Sequence, residues 1–379
     1  MKSIYLVSIT ALLVSNSGCK SMKYSFSEKV MVHESSMVYE LIENQMIIHP
    51  EIDGKKQPLL FDLGAMTFMA FDTSIISNYS KRESATFGSA SGAGKGKISI
   101  KQIPISYNDG ILTSENLVFR IAENTPFKKD PCKPSNSNTG VYGVSKIKQN
   151  KLRLLIDFDE KKIRNLSSGN YLELKSAGFE EVRSDFKWKG IVIHLIIDGK
   201  EYSFLFDTGF NGSLLMPASE NYSFTNEPHL TINGMLARTL TEITTGLTNI
   251  YQEKKIRIGN TESNSSIVVT GSMNVQNVGV GFIKNFNWLI DYKEKKVFFK
   301  KNSEKPSTKL IDFRYKAALI DSNLVVSSVN AAYEDYQVGK RIVSVNGELV
   351  NDDNKCALQN LLNNKIDWKQ LHVIAEDFK

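Results

Sequence analysis

The sequence contains few cysteines, no block of like charge and no long hydrophobic run. Its three cysteines, Cys19, Cys132 and Cys356, show neither a disulfide framework nor metal-ligand spacing, and Cys132 is interpreted as a free thiol in a polar loop. The 47 basic and 41 acidic residues are interleaved, so the net charge of +6 does not indicate nucleic acid as a partner. With 379 residues, 41% of them hydrophobic, we expect two or three domains with real cores.

The first 18 residues have the pattern of a secretory signal peptide. The apolar run from Ile4 to Val14 is too short to span a bilayer. The residues Asn16-Ser17-Gly18 before Cys19 resemble a bacterial lipobox, which implies cleavage before Cys19 and lipid attachment to it. The alternative is an ordinary signal peptide that is cut nearby. We predict an exported lipoprotein of the bacterial cell envelope, periplasmic or on the outer surface, with residues 19–36 as a tether.

One stretch of the chain occurs twice, at residues 47–65 and 192–210. Each copy has an apolar strand, an Asp-Gly-Lys turn, a second apolar strand, and an aspartate followed two residues later by glycine. The aspartates, Asp62 and Asp207, are 145 residues apart. Asp-Gly between apolar runs is typical of a tight hairpin, so each copy should present its aspartate at the end of a strand.

Two carboxylates presented in the same way can act together. If the copies pack about a pseudo-twofold axis, Asp62 and Asp207 meet, and two acids in contact share one proton. The ionised aspartate then acts as a base and the protonated aspartate as an acid. The pair can activate a water for attack on an amide carbonyl without a metal or a covalent intermediate. We therefore expect no cofactor and no metal site.

The residues around both aspartates resemble a known family. Phe61-Asp62-Leu63-Gly64 and Phe206-Asp207-Thr208-Gly209 are similar to the catalytic loops of the retropepsin-like aspartic proteases, of the single-chain, two-lobed bacterial type. Gly140-Val141-Tyr142-Gly143 and Gly279-Val280-Gly281 resemble the apolar-apolar-Gly segments behind those loops. The sequences at 154–163 and 288–297 resemble a closing hairpin in each lobe. The resemblance covers roughly residues 37–302.

The resemblance implies a mainly β fold with two pseudo-symmetric, pepsin-like or retropepsin-like β-barrel lobes and a small α+β domain. The predicted boundaries are 37–166 for lobe 1, 167–186 for the connection between the lobes, 187–302 for lobe 2 and 307–379 for the last domain. A strand is predicted at Tyr171 to Leu174 within the connection. One chain supplies both halves of the site, so a monomer is sufficient to form it.

The resemblance also implies roles for the loop residues. Asp62 and Asp207 are the predicted catalytic acids, supported by Leu63, Gly64, Thr208 and Gly209. Thr208 should hydrogen-bond across to the loop of the other lobe, whereas Leu63 has no hydroxyl and leaves the first loop one hydrogen bond short, worth about 1 kcal/mol. Phe210 replaces the small residue usual after the second glycine and is expected to crowd the site.

Two further segments are candidates for a flap over the substrate. The first is the glycine-rich stretch at 86–100, in which Gly92 and Gly94 would supply mobility; a disordered surface loop is the alternative. The second is 230–243, where Asn233-Gly234 is predicted to form a hairpin turn.

The C-terminal residues 325–350 resemble the core of a PDZ domain. The prediction includes a helix-like segment near Ala331–Tyr336, an Asn346-Gly347 turn, a helix at Leu358 to Leu362 and a final strand at Leu371 to Ala375. Capture of a peptide ligand by strand addition and a purely structural role both remain open for this domain.

We predict an aspartic-type peptidase that acts on a polypeptide substrate through Asp62 and Asp207 and reaches the membrane through its lipid anchor. The alternative is a lipoprotein that keeps the protease fold as a peptide-binding or scaffold module without catalysis. His49 and His194, thirteen residues before the two aspartates, are interpreted as surface or partly packed residues rather than metal ligands.

Overall fold

The computed structural model describes residues 23–90, 97–122, 125, 132, 139–218, 227–238, 242–303, 312–364 and 367–377. The predicted signal peptide, Cys19 and the flap candidates Gly92 and Gly94 lie outside these ranges. Within them, the structure contains no helix that is long and apolar enough to cross a membrane.

The fold is mainly β and has two lobes, as predicted. Lobe 1 is built from short and medium strands whose apolar side chains alternate with exposed ones. Its strands are β1 (Met31–Val32), β2 (Ser36–Ile42), β3 (Gln45–Ile48), β4 (Glu51–Ile52), β5 (Lys55–Lys56), β6 (Leu59–Asp62), β7 (Met69–Ala70), β8 (Ala85–Ala90), β9 (Ile98–Asn108), β10 (Leu112–Ile121), β11 (Gly140–Gly143), β12 (Arg153–Asp157) and β13 (Lys162–Asn165). Residues 23–27 are helical, and the other helices of this part are the 3₁₀ turns Thr73–Ile75 and Tyr79–Lys81 and the helix α1 (Ser145–Gln149).

Lobe 2 repeats this arrangement after a short connection. The connection contains the helix α2 (Ser168–Ser176) and the strands β14 (Glu180–Val182) and β15 (Ser184–Lys187). The strands of lobe 2 are β16 (Gly190–Ile197), β17 (Lys200–Phe206), β18 (Leu214–Pro217), β19 (Leu230–Arg238), β20 (Ile243–Ile258), β21 (Thr261–Thr270), β22 (Asn277–Val278), β23 (Phe286–Asp291) and β24 (Lys296–Lys301), with the helix α3 (Val280–Ile283) before β23.

The two predicted closing hairpins are present and pair with each other. β12 and β13 form the hairpin of lobe 1, β23 and β24 form that of lobe 2, and the antiparallel pair of β12 with β23 joins them. They lie in a 16-stranded sheet, in which the order of the strands around them is β14-β24-β23-β12-β13-β2. The core follows the same plan, since a single hydrophobic cluster extends through both lobes and includes Phe61, Phe206 and Trp288, all fully buried. The lobes are therefore fixed to each other by backbone hydrogen bonds and by a shared core.

The predicted strand at Tyr171 to Leu174 is wrong, because these residues lie in α2. The side chain of Ser167 caps this helix by accepting a hydrogen bond from the Asn170 N–H. Tyr171 is buried, and its ring packs edge-on against Phe298 at a centroid distance of 6.3 Å. An apolar run this short fits a strand as well as one side of a helix, and the serine cap decides for the helix.

The C-terminal unit, residues 312–377 without 365–366, has a core of its own, which includes Tyr315, Trp368 and Leu362. Its elements are β25 (Tyr315–Ile320), β26 (Asn323–Asn330), β27 (Arg341–Val345), β28 (Glu348–Leu349), the helix α4 (Lys355–Asn364), the 3₁₀ turn Trp368–Leu371 and β29 (Ile374–Glu376). The predicted helix at Leu358 to Leu362 and the turn at Asn346-Gly347 between β27 and β28 are confirmed. The segment Ala331–Tyr336 is a series of turns and bends, so the helix predicted there is wrong.

The hairpin turn predicted at Asn233-Gly234 is also wrong. Both residues lie inside β19, where Gly234 pairs with Gly246 of β20 on one side and with Ser328 of β26 on the other. A Cβ at Gly234 would lie 2.3 Å from the carbonyl oxygen of Ser327. This glycine therefore serves the close approach of β26, which adds the C-terminal unit to the sheet of lobe 2.

Cys132 is not a free thiol. It forms a disulfide with Cys356 of α4, over a sequence separation of 224 residues. The bond attaches the C-terminal unit to lobe 1, whereas β26 attaches it to lobe 2. The spacing of two cysteines so far apart gives no indication of this pairing, because only the fold brings them together.

Loss of this disulfide is expected to loosen the C-terminal unit. The replacements Cys132→Ser and Cys356→Ser together should lower the free energy of unfolding by about 2–5 kcal/mol, since the bond closes a very long loop. Thermal unfolding with and without a thiol reductant measures the effect. The reductant should act on the wild type and leave the double variant unchanged; equal midpoints for wild type and double variant would contradict the prediction.

Candidate active site

The structure brings Asp62 and Asp207 together from the two lobes. Asp62 is the last residue of β6, and Asp207 directly follows β17. A parallel strand supports each of these strands: β11 runs beside β6, and β22 runs beside β17. The duplicated sequence is thus used twice in the same way, with each aspartate at the end of a supported strand.

The same local turn holds both carboxylates. Asp62 Oδ1 accepts hydrogen bonds from the N–H groups of Gly64 and Ala65 at 2.8 and 2.9 Å. Asp207 Oδ1 accepts from the N–H groups of Gly209 and Phe210 at 3.0 and 3.1 Å. Each aspartate therefore has its Oδ1 fixed by two N–H groups of its own loop, which leaves its Oδ2 to other partners.

The glycine of each loop makes room for the acid of the other loop. A Cβ at Gly64 would lie 2.6 Å from Asp207 Cγ, and a Cβ at Gly209 would lie 2.3 Å from Asp62 Cγ. Both distances are shorter than any ordinary carbon contact, so neither position accepts a side chain while the other acid keeps its place. The glycines at these two positions therefore determine how closely the carboxylates approach.

Thr208 connects the two loops. Its buried hydroxyl donates to the carbonyl oxygen of Phe61 and accepts from the N–H of Leu63, both at 2.9 Å. Leu63 occupies the matching position in lobe 1 and is 1% exposed, but it has no hydroxyl to offer in return. The connection between the loops thus comes from lobe 2, and the structure has the expected asymmetry.

Removing the Thr208 hydroxyl is expected to destabilise the interface between the lobes. Thr208→Val should lower the free energy of unfolding by roughly 2–4 kcal/mol, because the Leu63 N–H and the Phe61 carbonyl both stay buried without a partner. Thr208→Ser keeps the hydroxyl and is the matched control, with a loss of about 1 kcal/mol for the methyl group. Denaturant unfolding of both variants checks this, and equal stabilities would speak against a role for the hydroxyl.

Both acids have raised pKa values, for related reasons. Removal from water raises the pKa of Asp62 above that of an ordinary aspartate, although the N–H groups of Ala65 and Gly64 act in the opposite direction. The pKa of Asp207 is raised further, first by burial and then by the negative charge of Asp62. The pair thus holds one proton over a range of pH, as an acid and a base acting together must.

Three other residues that the sequence singled out, Phe210, His194 and His49, have contacts of their own. The ring of Phe210 lies against the positions of Gly212 and Gly279 within its own lobe. His194 contacts Asp185 at 3.1 Å, and His49 contacts Glu40 at 3.2 Å. Among the described residues, the structure has no group of histidine, cysteine or acidic side chains arranged to hold a metal ion.

Sequence reasoning missed Asn277. This residue lies in β22, and its Nδ2 donates a hydrogen bond to Asp207 Oδ2 at 2.5 Å. The matching position in lobe 1 is Val141 of β11, since Val141 pairs with Leu60 as Asn277 pairs with Leu205. A polar residue in one copy of the repeat and an apolar residue in the other was a signal that could have indicated it.

One strand edge of the C-terminal unit, the free side of β25, is partly occupied. The side-chain amide of Asn363 in α4 accepts a hydrogen bond from the Ala317 N–H at 2.9 Å and donates to the Ala317 carbonyl at 3.0 Å. Asn363 thereby takes the place of a neighbouring strand along β25. A peptide could pair with β25 at Ala317 only if this side chain moved away.

Comparison with known proteins corrects the predicted family. No family model and no curated protein matches the chain. Among solved structures, it is similar to basic 7S globulin from soybean, with 11% identity and a TM-score of 0.40. It is also similar to conglutin gamma, a basic 7S globulin from lupine seeds, with 10% identity and a TM-score of 0.45. Each similarity covers 73% of this chain and 96% of the globulin chain.

The assignment to the retropepsin-like proteases with a PDZ domain is therefore wrong: the two structures named above are basic 7S globulins, and the PDZ part is not confirmed. The physical reason is that an Asp-x-Gly loop at the end of a hairpin is a short local pattern. Such a pattern specifies the geometry of the loop and not the ancestry of the chain. At these TM-scores, the likeness by itself supports no inference about function.

Proposed function

We propose that the protein is an aspartic-type peptidase in which Asp62 and Asp207 activate a water molecule for attack on a peptide bond. The observation that supports this is the contact of two acids from distant parts of the chain, each held by its own loop and each packed against the glycine of the other. The fold does not need two half-buried carboxyl groups in contact. Their mutual repulsion and their loss of hydration are unfavourable.

In the proposed reaction, the acid pair carries one proton. The ionised member takes a proton from water as the water oxygen bonds to the carbonyl carbon, and the protonated member gives its proton to the carbonyl oxygen. The nitrogen of the resulting gem-diol takes up the proton that the pair now holds. As the C–N bond breaks, one hydroxyl of the gem-diol gives its proton back to the pair, so that a carboxylic acid and an amine leave and the pair again holds one proton. The substrate is a polypeptide, and one chain supplies both acids.

A second candidate is a two-lobed protein that has the fold of such an enzyme without its catalysis. It is favoured by Leu63, which leaves one loop without the hydroxyl that Thr208 supplies to the other. Its function would then be to bind peptides or to serve as a scaffold.

Digestion of a peptide library between acidic and neutral pH separates the two candidates. Wild type is compared with a double variant, Asp62→Asn with Asp207→Asn, which keeps the size of both side chains. Cleavage by wild type alone supports the peptidase. Binding of peptides by both proteins without cleavage by either would favour the second candidate.

We also propose that the protein is exported and attached to the membrane of the cell envelope through a lipid on Cys19. The sequence of residues 1–19 supports this proposal, and so does the disulfide between Cys132 and Cys356, because disulfides persist in oxidising compartments. Mass determination of the mature N-terminus after membrane extraction tests both parts. A soluble product that starts elsewhere and carries no lipid would overturn the anchor.

A further inference from the structure

Asn277 distinguishes the surroundings of the two acids. Its Nδ2 lies 2.5 Å from Asp207 Oδ2, the oxygen that the Asp207 loop does not bind. In lobe 1, the matching position carries Val141, a buried side chain with no donor. The lobes are alike in strand, turn and glycine, and this polar contact distinguishes them in addition to the difference between Thr208 and Leu63.

The burial of Asn277 indicates that its amide has a purpose at the site. The residue is only 8% exposed, and its Oδ1 has no hydrogen-bond partner among the described residues. A buried carbonyl oxygen without a partner is unfavourable, so packing alone would be served better by valine, as in lobe 1. What valine cannot supply is the hydrogen bond to Asp207.

We propose that Asn277 is a positioning residue of the acid pair. The Asn277 amide holds Asp207 Oδ2 and favours the ionised form of the Asp207 carboxyl group. An N–H donor stabilises a carboxylate more than a carboxylic acid, and it does so most strongly away from water. The consequence for catalysis rests on the proposed peptidase function, whereas the consequence for titration of the acids does not.

Among the residues that the structure describes, few groups face Asp207. From lobe 1 there are the carboxyl of Asp62 and the position of Gly64. From its own loop there are the N–H groups of Gly209 and Phe210, and from β22 there is the amide of Asn277. Of these, Asp62 is the titratable group. Replacement of Asn277 therefore changes the titration of the pair through one removed donor.

The test is Asn277→Val, which gives lobe 2 the residue of lobe 1. Both apparent pKa values of the acid pair should rise by about one unit, because the ionised form loses a hydrogen bond. They are read from the ¹³C carboxyl signals of aspartate-labelled protein, assigned with Asp207→Asn, and from the pH dependence of kcat/KM for peptide hydrolysis. The reciprocal variant Val141→Asn should shift the values downward.

The outcomes separate this inference from the proposed function. An unchanged titration in folded Asn277→Val overturns the inference, even if thermal stability changes, since a merely structural role would move stability alone. If wild type cleaves no peptide, the proposed function fails, and the carboxyl titration still decides the role of Asn277. If Asn277→Val does not fold, Val141→Asn decides: a downward shift supports the inference, and no shift overturns it.

Discussion

Replacement of Asp207 by asparagine is expected to lower the rate of peptide hydrolysis by at least about a thousandfold. Asparagine keeps the shape of the side chain but cannot share a proton with Asp62. One of the two proton transfers of the proposed reaction therefore has no acid or base to carry it out. Asp62→Asn should have an effect of similar size, and the double variant should be no worse than either single variant, because the two acids act as one unit. Single-turnover cleavage of a peptide identified in the library measures this.

The same variant should be more stable than wild type above acidic pH. The pKa of Asp207 is raised in the folded state, so the folded protein binds a proton more tightly than the unfolded chain does. Its contribution to stability is therefore highest in acid, and it declines as the pH rises from the ordinary pKa of aspartate, near 3.9, through the raised values of the pair. Asp207→Asn removes this decline. The midpoint of thermal unfolding, measured at several pH values for the variant and for wild type, detects the difference.

Asp352→Asn is the matched control, since the side chain of Asp352 is 91% exposed and lies in the C-terminal unit. It should leave the rate of hydrolysis unchanged. A rate for Asp207→Asn close to that of wild type would show that the acid pair does not catalyse the cleavage. A stability that falls with pH as steeply as in wild type would contradict the raised pKa.

The second large effect is expected from Gly209→Ala. The added Cβ would lie 2.3 Å from Asp62 Cγ, so either the loop or the acid must move. Because the two carboxyl groups can share a proton only in contact, we expect hydrolysis to fall by at least about a hundredfold. Crowding at this point should also lower the free energy of unfolding by about 1–3 kcal/mol. Kinetics and denaturant unfolding measure the two effects.

Gly271→Ala provides a matched control, because a Cβ at Gly271 would meet nothing within 4 Å. This variant should have the rate and stability of wild type, so that any loss in Gly209→Ala is due to the position and not to the change of glycine as such. Normal activity in Gly209→Ala would indicate that close contact of the acids is not required for the reaction.

Local patterns in the sequence predicted the parts of the fold that depend on neighbouring residues. The two Asp-Gly hairpins and the turn at Asn346-Gly347 follow from alternation of apolar residues and from turn chemistry. The closing hairpins were expected from the family resemblance. The repetition of one frame also indicated that two aspartates would be presented alike. The same reasoning failed at Tyr171 and at Asn233-Gly234, where a cap in one case and a neighbouring strand in the other outweighed the local pattern.

The sequence by itself determined the paired strands before each aspartate and the similar loops that follow them, because these depend on contacts over a few residues. The sequence predicted the contact of Asp62 with Asp207 on the condition that the two copies pack against each other, and the tertiary structure meets that condition. Only the tertiary structure decided the contacts of Asn277 with Asp207 and of Cys132 with Cys356. Such contacts join positions 70 to 224 residues apart. They depend on how the lobes pack, and no spacing along the chain encodes that.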